Sequence, residues 1–255
     1  MSTITKPLDL NFPVAGKNVL VTGAASGIGA AMAIAFNEKG SRVALLDLDD
    51  KQARKFAETL DNSFVHQCDV SSETSVYKAV DAVKAEFGKI DVLINCAGIV
   101  DLAPAEELSI AAWKRTIDIN LTGSFLVAQC VGKSMIENGS GKIINIASQA
   151  GTVAIPDHVA YCASKFAIIG MTKTMALEWG QHGITVNTIS PTVVLTELGK
   201  KAWEGPKGEA LKQQIPTGRF AEPEEIAAAA IFLASDATNM INGADLIIDG
   251  GFTIQ

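Results

Sequence analysis

Short apolar runs alternate along this chain with longer stretches of helical periodicity. Lys17-Asn-Val-Leu-Val-Thr22, Arg42-Val-Ala-Leu-Leu46, Ser63-Phe-Val-His-Gln-Cys68, Ile90-Asp-Val-Leu-Ile94, Lys142-Ile-Ile-Asn-Ile-Ala147, Thr185-Val-Asn-Thr-Ile189 and Asp245-Leu-Ile-Ile248 read as strands, each too short and too β-branched for a helix. Between them the spacing predicts an alanine-rich helix ending near Lys39 with a Gly40 stop, then helices over about 50–60, 73–87, 107–136 (with a break near Gly123), 157–180 and 222–234. Strands that are apolar throughout and alternate with helices imply a parallel sheet covered on both faces. The expected fold is a single doubly wound α/β domain of about seven strands over residues 17–255. Residues 1–16, punctuated by Pro7 and Pro13, read as a loosely attached extension. Residues 197–218 are polar and carry Gly199, Gly205, Pro206 and Gly208, which suggests a mobile lid.

Composition narrows the partners. The chain has 255 residues, 48% hydrophobic and 19% charged, enough for a substantial core. A net charge of −7 without a polybasic cluster argues against nucleic acid or an anionic membrane as the main partner. No run approaches the length of a membrane span and no apolar leader segment opens the chain, so a cytoplasmic protein is expected. Cys68, Cys96, Cys130 and Cys162 lie about thirty residues apart, which fits reduced thiols better than a disulfide framework. His66, His158 and His182 lack metalloprotease spacing, so no catalytic metal is expected.

Candidate chemistry begins where the first strand runs into Gly23-Ala-Ala-Ser26-Gly27-Ile28-Gly29. Strand, glycine turn and helix together bring backbone N–H groups up to a pyrophosphate. The second strand ends at Asp47, whose carboxylate can accept from adenosine ribose hydroxyls and repel a 2′-phosphate, favouring NAD over NADP. Helix capping is a compatible second role for Asp47. Small residues after the fourth strand leave room for an adenosine. Tyr161 and Lys165 lie four apart in an expected helix and so share a face. A cation beside the phenol stabilises phenolate and fits Tyr161 for proton transfer with an alcohol or carbonyl. Ser148 ends the preceding strand, where its hydroxyl can bond the same substrate oxygen. Gly139-Ser-Gly-Lys142 superficially suggests a phosphate loop, but Ile143 stands where Ser or Thr is required, so it reads as a turn.

Thr22-Gly-x-x-x-Gly-x-Gly29, Asp69-Val70, Asn95-x-Ala97-Gly98, Asn120, Ser148, Tyr161-x-x-x-Lys165 and the Pro191 segment occur in an order and spacing that resemble the short-chain dehydrogenase/reductase family, from about Gly16 to the C-terminus. The resemblance implies a Rossmann-type fold and hydride exchange with a nicotinamide cofactor. It implies that Tyr161 is the general acid/base, that Ser148 orients the substrate oxygen, and that Asn120 anchors a relay water. Lys165 is implied to bind the nicotinamide ribose and lower the tyrosine's pKa. The Pro191–Thr196 loop, through Val194 and Thr196, is implied to hold the carboxamide. Pro191-Thr192 replaces the family's usual Pro-Gly, and Asn95-Cys96 its usual Asn-Asn. The resemblance also implies a homotetramer built on the helices near 107–136 and 157–180, with the C-terminal run joining a second interface.

Within the family, Ser148-Gln149, His158 and Pro191-Thr-Val-Val-Leu-Thr196 with Trp203 beyond it are similar to the xylulose reductase and polyol dehydrogenase branch. Gln149 and His158 would then bond neighbouring hydroxyls of a polyol, sugar or vicinal diol, with Trp203 closing over it. His158 bonding a backbone carbonyl and Trp203 packing into the lid are the plainer readings. The expected activity is an NAD-dependent alcohol dehydrogenase giving a ketone or ketose. The alternatives are a 3-oxoacyl-[acyl-carrier-protein] reductase, disfavoured by Asp47 and the acidic charge, and an NAD-binding sensor or scaffold, disfavoured by the complete set Asn120, Ser148, Tyr161 and Lys165.

Overall fold

A computed structural model describes residues 8–254. Seven strands, β1 (Asn18–Thr22), β2 (Arg42–Asp47), β3 (Ser63–Gln67), β4 (Val92–Asn95), β5 (Gly141–Ile146), β6 (Ile184–Pro191) and β7 (Asp245–Ile248), form one parallel sheet in the order β3-β2-β1-β4-β5-β6-β7. Because side chains alternate across a strand, β1 divides its residues between two cores. Val19 and Val21 pack with Met32 and Phe36 of α1 (Gly27–Glu38) and with Ile226 of α9 (Pro223–Ala234). Leu20 faces the other way, into a core with Val80 of α3 (Glu73–Phe87), Val131 of α5 (Ser124–Asn138) and Met175 of α6 (Val159–Trp179). The strand order reverses at β1, which lies between β2 and β4, and opens a crevice at the strands' C-terminal ends.

Three expectations change in detail. The helix expected over 107–136 is α4 (Ile110–Ile117), a π-helical turn over Asp118–Gly123, and α5. The wide turn carries Asn120 inward to full burial. The polar segment 197–218 holds two short helices, α7 (Glu197–Ala202) and α8 (Pro206–Lys212). Of the expected extension, residues 1–7 lie outside the described residues, whereas Phe12 packs edge-on against Phe232 and Val14 is buried. Apolar side chains there find α9, a partner over two hundred residues away that local punctuation does not reveal. No phosphate loop forms at 139–142: Gly139, left-handed after α5, and Ser140 make the turn, and Gly141 and Lys142 already belong to β5. No helix among the described residues is long and apolar enough to cross a membrane.

Candidate active site

The glycine turn is built around contacts that tolerate no side chain. Gly23 has φ +65°, and a Cβ there would lie 2.8 Å from Ala97 Cα; one at Gly29 would overlap the Gly23 carbonyl oxygen. Thr22 Oγ1 ties the turn to the end of β4 by accepting from the N–H groups of Cys96 (3.1 Å) and Ala97 (3.2 Å). Ser26 stands exposed at the start of α1 without capping it, and Ile28 is half-buried against the core. Asp47 accepts from Ala25 N–H at 2.9 Å and Asp49 N–H at 3.0 Å; the capping of α2 (Asp50–Ala57) falls to Asp49 instead. Asp69 accepts from the Ser71 hydroxyl at 2.6 Å, and Val70 is buried. Gly98 forms a floor beneath which Asn120 and Lys165 converge, since a Cβ there would come within 3.3 Å of Asn120 Oδ1 and 3.8 Å of Lys165 Nζ.

On the far side, Pro191 ends β6. Val194 is bridged to Ala221, and Thr196 caps α7 by accepting from Gly199 N–H at 3.0 Å. The Thr196 methyl reaches the glycine turn, where a Cβ on Gly27 would meet it at 3.3 Å. The sequence places Asn95 among cofactor-binding residues, but its buried amide donates to Asn145 Oδ1 (2.9 Å) and the Ser124 carbonyl (3.2 Å), tying β4 to β5 and α5. These bonds hold the chain that leads into Cys96–Gly98, and Asn95 Oδ1 has no partner among the described residues.

Ser148, Tyr161, Lys165 and Asn120 meet at the ends of β4 and β5. Tyr161 and Lys165 share a face of α6, as their spacing requires, and Lys165 Nζ lies 5.4 Å from the Tyr161 ring centroid. The ammonium donates to the Ile146 carbonyl at 2.7 Å, and burial pushes its pKa down to about 8 against the opposing pull of Cys96. Burial is also the largest influence on Tyr161 and holds its pKa above the ordinary value, while a hydrogen bond with Ser148 works the other way. Desolvation is thus the larger influence on the phenol in this structure, while Lys165, with one N–H on the Ile146 carbonyl, keeps two donors and its charge beside the ring. Asn120 forms a closed pair with Ile99, accepting from its N–H at 2.8 Å and donating to its carbonyl at 2.9 Å, and also donates to Ser164 Oγ at 3.1 Å.

The three residues assigned to substrate diverge. His158 Nδ1 lies 2.6 Å from the Pro156 carbonyl, which can only accept, so Nδ1 is the donor and in the neutral ring Nε2 is the acceptor. Its ring stands edge-on to Tyr161 at 6.1 Å. Gln149 is buried with Oε1 unpartnered. Trp203 instead packs on Phe220 with centroids 6.2 Å apart, and Lys207 Nζ lies over its ring 4.8 Å from the centroid. Sequence reasoning missed Ser124, whose hydroxyl donates to the Asn120 carbonyl at 2.7 Å, and Thr192, whose buried hydroxyl is unpartnered. The departure from Pro-Gly was the only local signal for Thr192.

A reversal of strand order in a parallel sheet, with a glycine turn at the end of its first strand and a tyrosine, serine and lysine gathered beyond the strands' C-terminal ends, is the arrangement of a nicotinamide-dependent oxidoreductase. A family model described as enoyl-(acyl carrier protein) reductase matches residues 23–253. The chain is 60% identical over 252 residues to a D-threitol dehydrogenase from Mycolicibacterium smegmatis, covering 97% of each. It is 50% identical to an NAD-dependent glycerol dehydrogenase from Listeria innocua, covering 98% of this chain and 99% of that one. Among solved structures, a gluconate 5-dehydrogenase from Burkholderia cenocepacia in complex with NADP and tartrate superposes with a TM-score of 0.91 at 35% identity, over 96% of this chain and 98% of that one. The chain belongs to the short-chain dehydrogenase/reductase family and is an oxidoreductase.

Proposed function

We propose that this enzyme uses NAD to oxidise a secondary hydroxyl of a small polyol, sugar or vicinal diol to the ketone, and works in reverse on the matching ketose. The observation that carries this reading is His158, whose ring stands edge-on to Tyr161 and whose Nδ1 donates to the Pro156 carbonyl, so that in the neutral ring Nε2 is the acceptor. A second hydroxyl on the substrate can donate to that nitrogen, whereas an apolar alcohol leaves it and Gln149 Oε1 without partners. The names of the D-threitol and glycerol dehydrogenase relatives support the same substrate class.

In this reading Ser148 holds the reacting oxygen and Tyr161 takes its proton. Lys165 holds the ribose next to the nicotinamide, and Asn120 positions a water that passes the proton outward. Bound NAD supplies the hydride acceptor at the substrate carbon. The glycine turn, the Gly98 floor and the Pro191–Thr196 loop fit a dinucleotide because a Cβ at Gly23 or Gly29 would fill the turn. Asp47 supports NAD over NADP through repulsion of a 2′-phosphate, as does the printed cofactor of the glycerol dehydrogenase relative, while the gluconate dehydrogenase structure holds NADP. Asp47 and the net charge of −7 likewise weigh against an acyl-carrier-protein substrate, and the complete tyrosine–lysine–serine set against a silent sensor. Residues 197–218 act as a lid, Trp203 leaving Phe220 to cover the substrate, and the protein works in the cytoplasm with reduced thiols.

The test follows NADH formation over small polyols and vicinal diols beside simple secondary alcohols, with NADP in parallel. Turnover concentrated on one polyol with NAD is expected. Preference for simple alcohols, or for an acetoacetyl thioester with NADPH, would overturn the assignment.

A further inference from the structure

Ala25 lies in the middle of the glycine turn, and side chains from the adenosine end of the crevice take both polar groups of its backbone. Its N–H donates to Asp47 Oδ2 at 2.9 Å, and its carbonyl accepts from Gln52 Nε2 at 3.1 Å. Ala25 is only 7% exposed, so water is a poor substitute for either partner. The carriers of those two side chains are themselves joined. Asp49 N–H donates to Asp47 Oδ1 at 3.0 Å, and Asp49 caps α2 by accepting from Gln52 N–H at 3.0 Å. Gln67 Nε2 fastens the same loop to β3 through the Leu48 carbonyl at 3.0 Å. The turn, the end of β2 and the start of α2 thus form one hydrogen-bonded unit.

We propose that Gln52 is a positioning residue for the cofactor and that Asp47 has two separable duties. This inference rests on the nucleotide-binding reading above. Gln52 and Asp47 clamp the Ala25 peptide from opposite ends, so the amides meant for pyrophosphate are held in place by the same loop that meets the ribose. The charge of Asp47 chooses between NAD and NADP, and its Oδ2 atom holds the turn. Each carboxylate oxygen has two lone pairs and spends one on a backbone N–H, which leaves acceptor capacity for ribose hydroxyls.

The two duties predict different variant behaviour. Gln52 touches no phosphate-discriminating group, so its loss weakens both cofactors equally. Asp47→Asn removes the charge and keeps one oxygen, which can serve Ala25 N–H at the expense of Asp49 N–H, whereas Asp47→Ala removes charge and both acceptors. Dissociation constants for NADH and NADPH would be measured by fluorescence on the full chain, with melting temperature and kcat at saturating NAD as companions. Gln52→Leu and the uncharged, non-donating Gln52→Met are expected to raise both constants about fivefold, the loss of one neutral hydrogen bond. Their ratio, kcat and folding should hold. Asp47→Asn should bind NADPH more tightly than Asp47→Ala does. Wild-type affinity in both Gln52 variants, a changed NADPH-to-NADH ratio, or equal NADPH binding by the two Asp47 variants would overturn the proposal. Failure of the wild type to bind NADH would instead sink the nucleotide reading, and the clamp with it.

Discussion

Tyr161 sits between opposing influences, with burial raising its pKa and the Ser148 hydroxyl lowering it. Because the first dominates, the free enzyme holds the phenol protonated at neutral pH, and the base form gains population as pH rises. Oxidative kcat/KM should therefore climb from neutral into alkaline pH while the reductive direction falls, as initial rates in both directions would reveal. Tyr161→Phe should abolish turnover yet change NADH affinity less than twofold, and retained turnover would refute the mechanism. His158→Leu should raise KM for a polyol about tenfold with a smaller change for a simple secondary alcohol, since only the polyol has a second hydroxyl to lose a partner. The spacing of Tyr161 and Lys165 was legible because a helix places such pairs on one face. That Lys165 spends its proton on the Ile146 carbonyl was not, because the acceptor belongs to another strand.

Elements with a strong apolar period were readable to within a few residues, α3 and β7 among them. Those whose geometry depends on a single inserted residue or on distant packing were not. An interruption near Gly123 was readable but its π-helical form over Asp118–Gly123 was not, and α7 and α8 lack an apolar stripe long enough to stand out from the polar segment. At the opposite end of β5, Lys142 is 6% exposed and its ammonium donates to Asn239 Oδ1 at 2.6 Å. Burial pushes its pKa down to about 8 from an ordinary 10.5, with Asp236 opposing and Lys17 reinforcing the shift. The unfolded chain therefore binds more protons between those values, and stability rises with pH across that window. Lys142→Met should flatten that slope and gain on the order of 2 kcal/mol at pH 7, a gain that fades toward pH 10.5. Urea midpoints at the two pH values would check it, and a loss of stability at pH 7 would show that the Asn239 bond outweighs the buried charge.

At the scale of the whole molecule, α5 and α6 present Phe125, Phe166 and Leu177 to solvent, and the C-terminal turn exposes Ile254. These apolar residues support the proposal that the enzyme is a homotetramer, the form expected in light scattering; a monomer would contradict it. The sheet's order also has a temporal consequence. Val19 pairs with Val92, and the glycine turn abuts Ala97 on one side and Thr196 on the other. A cradle assembled from such distant stretches carries a high loop-closure cost and forms late in folding. On the ribosome, the first four strands can emerge and pair while Tyr161 is still being threaded through the exit tunnel. Because the Thr196 methyl closes on the glycine turn, a chain cut before that residue is expected to lack redox activity, as assay of such truncations would show.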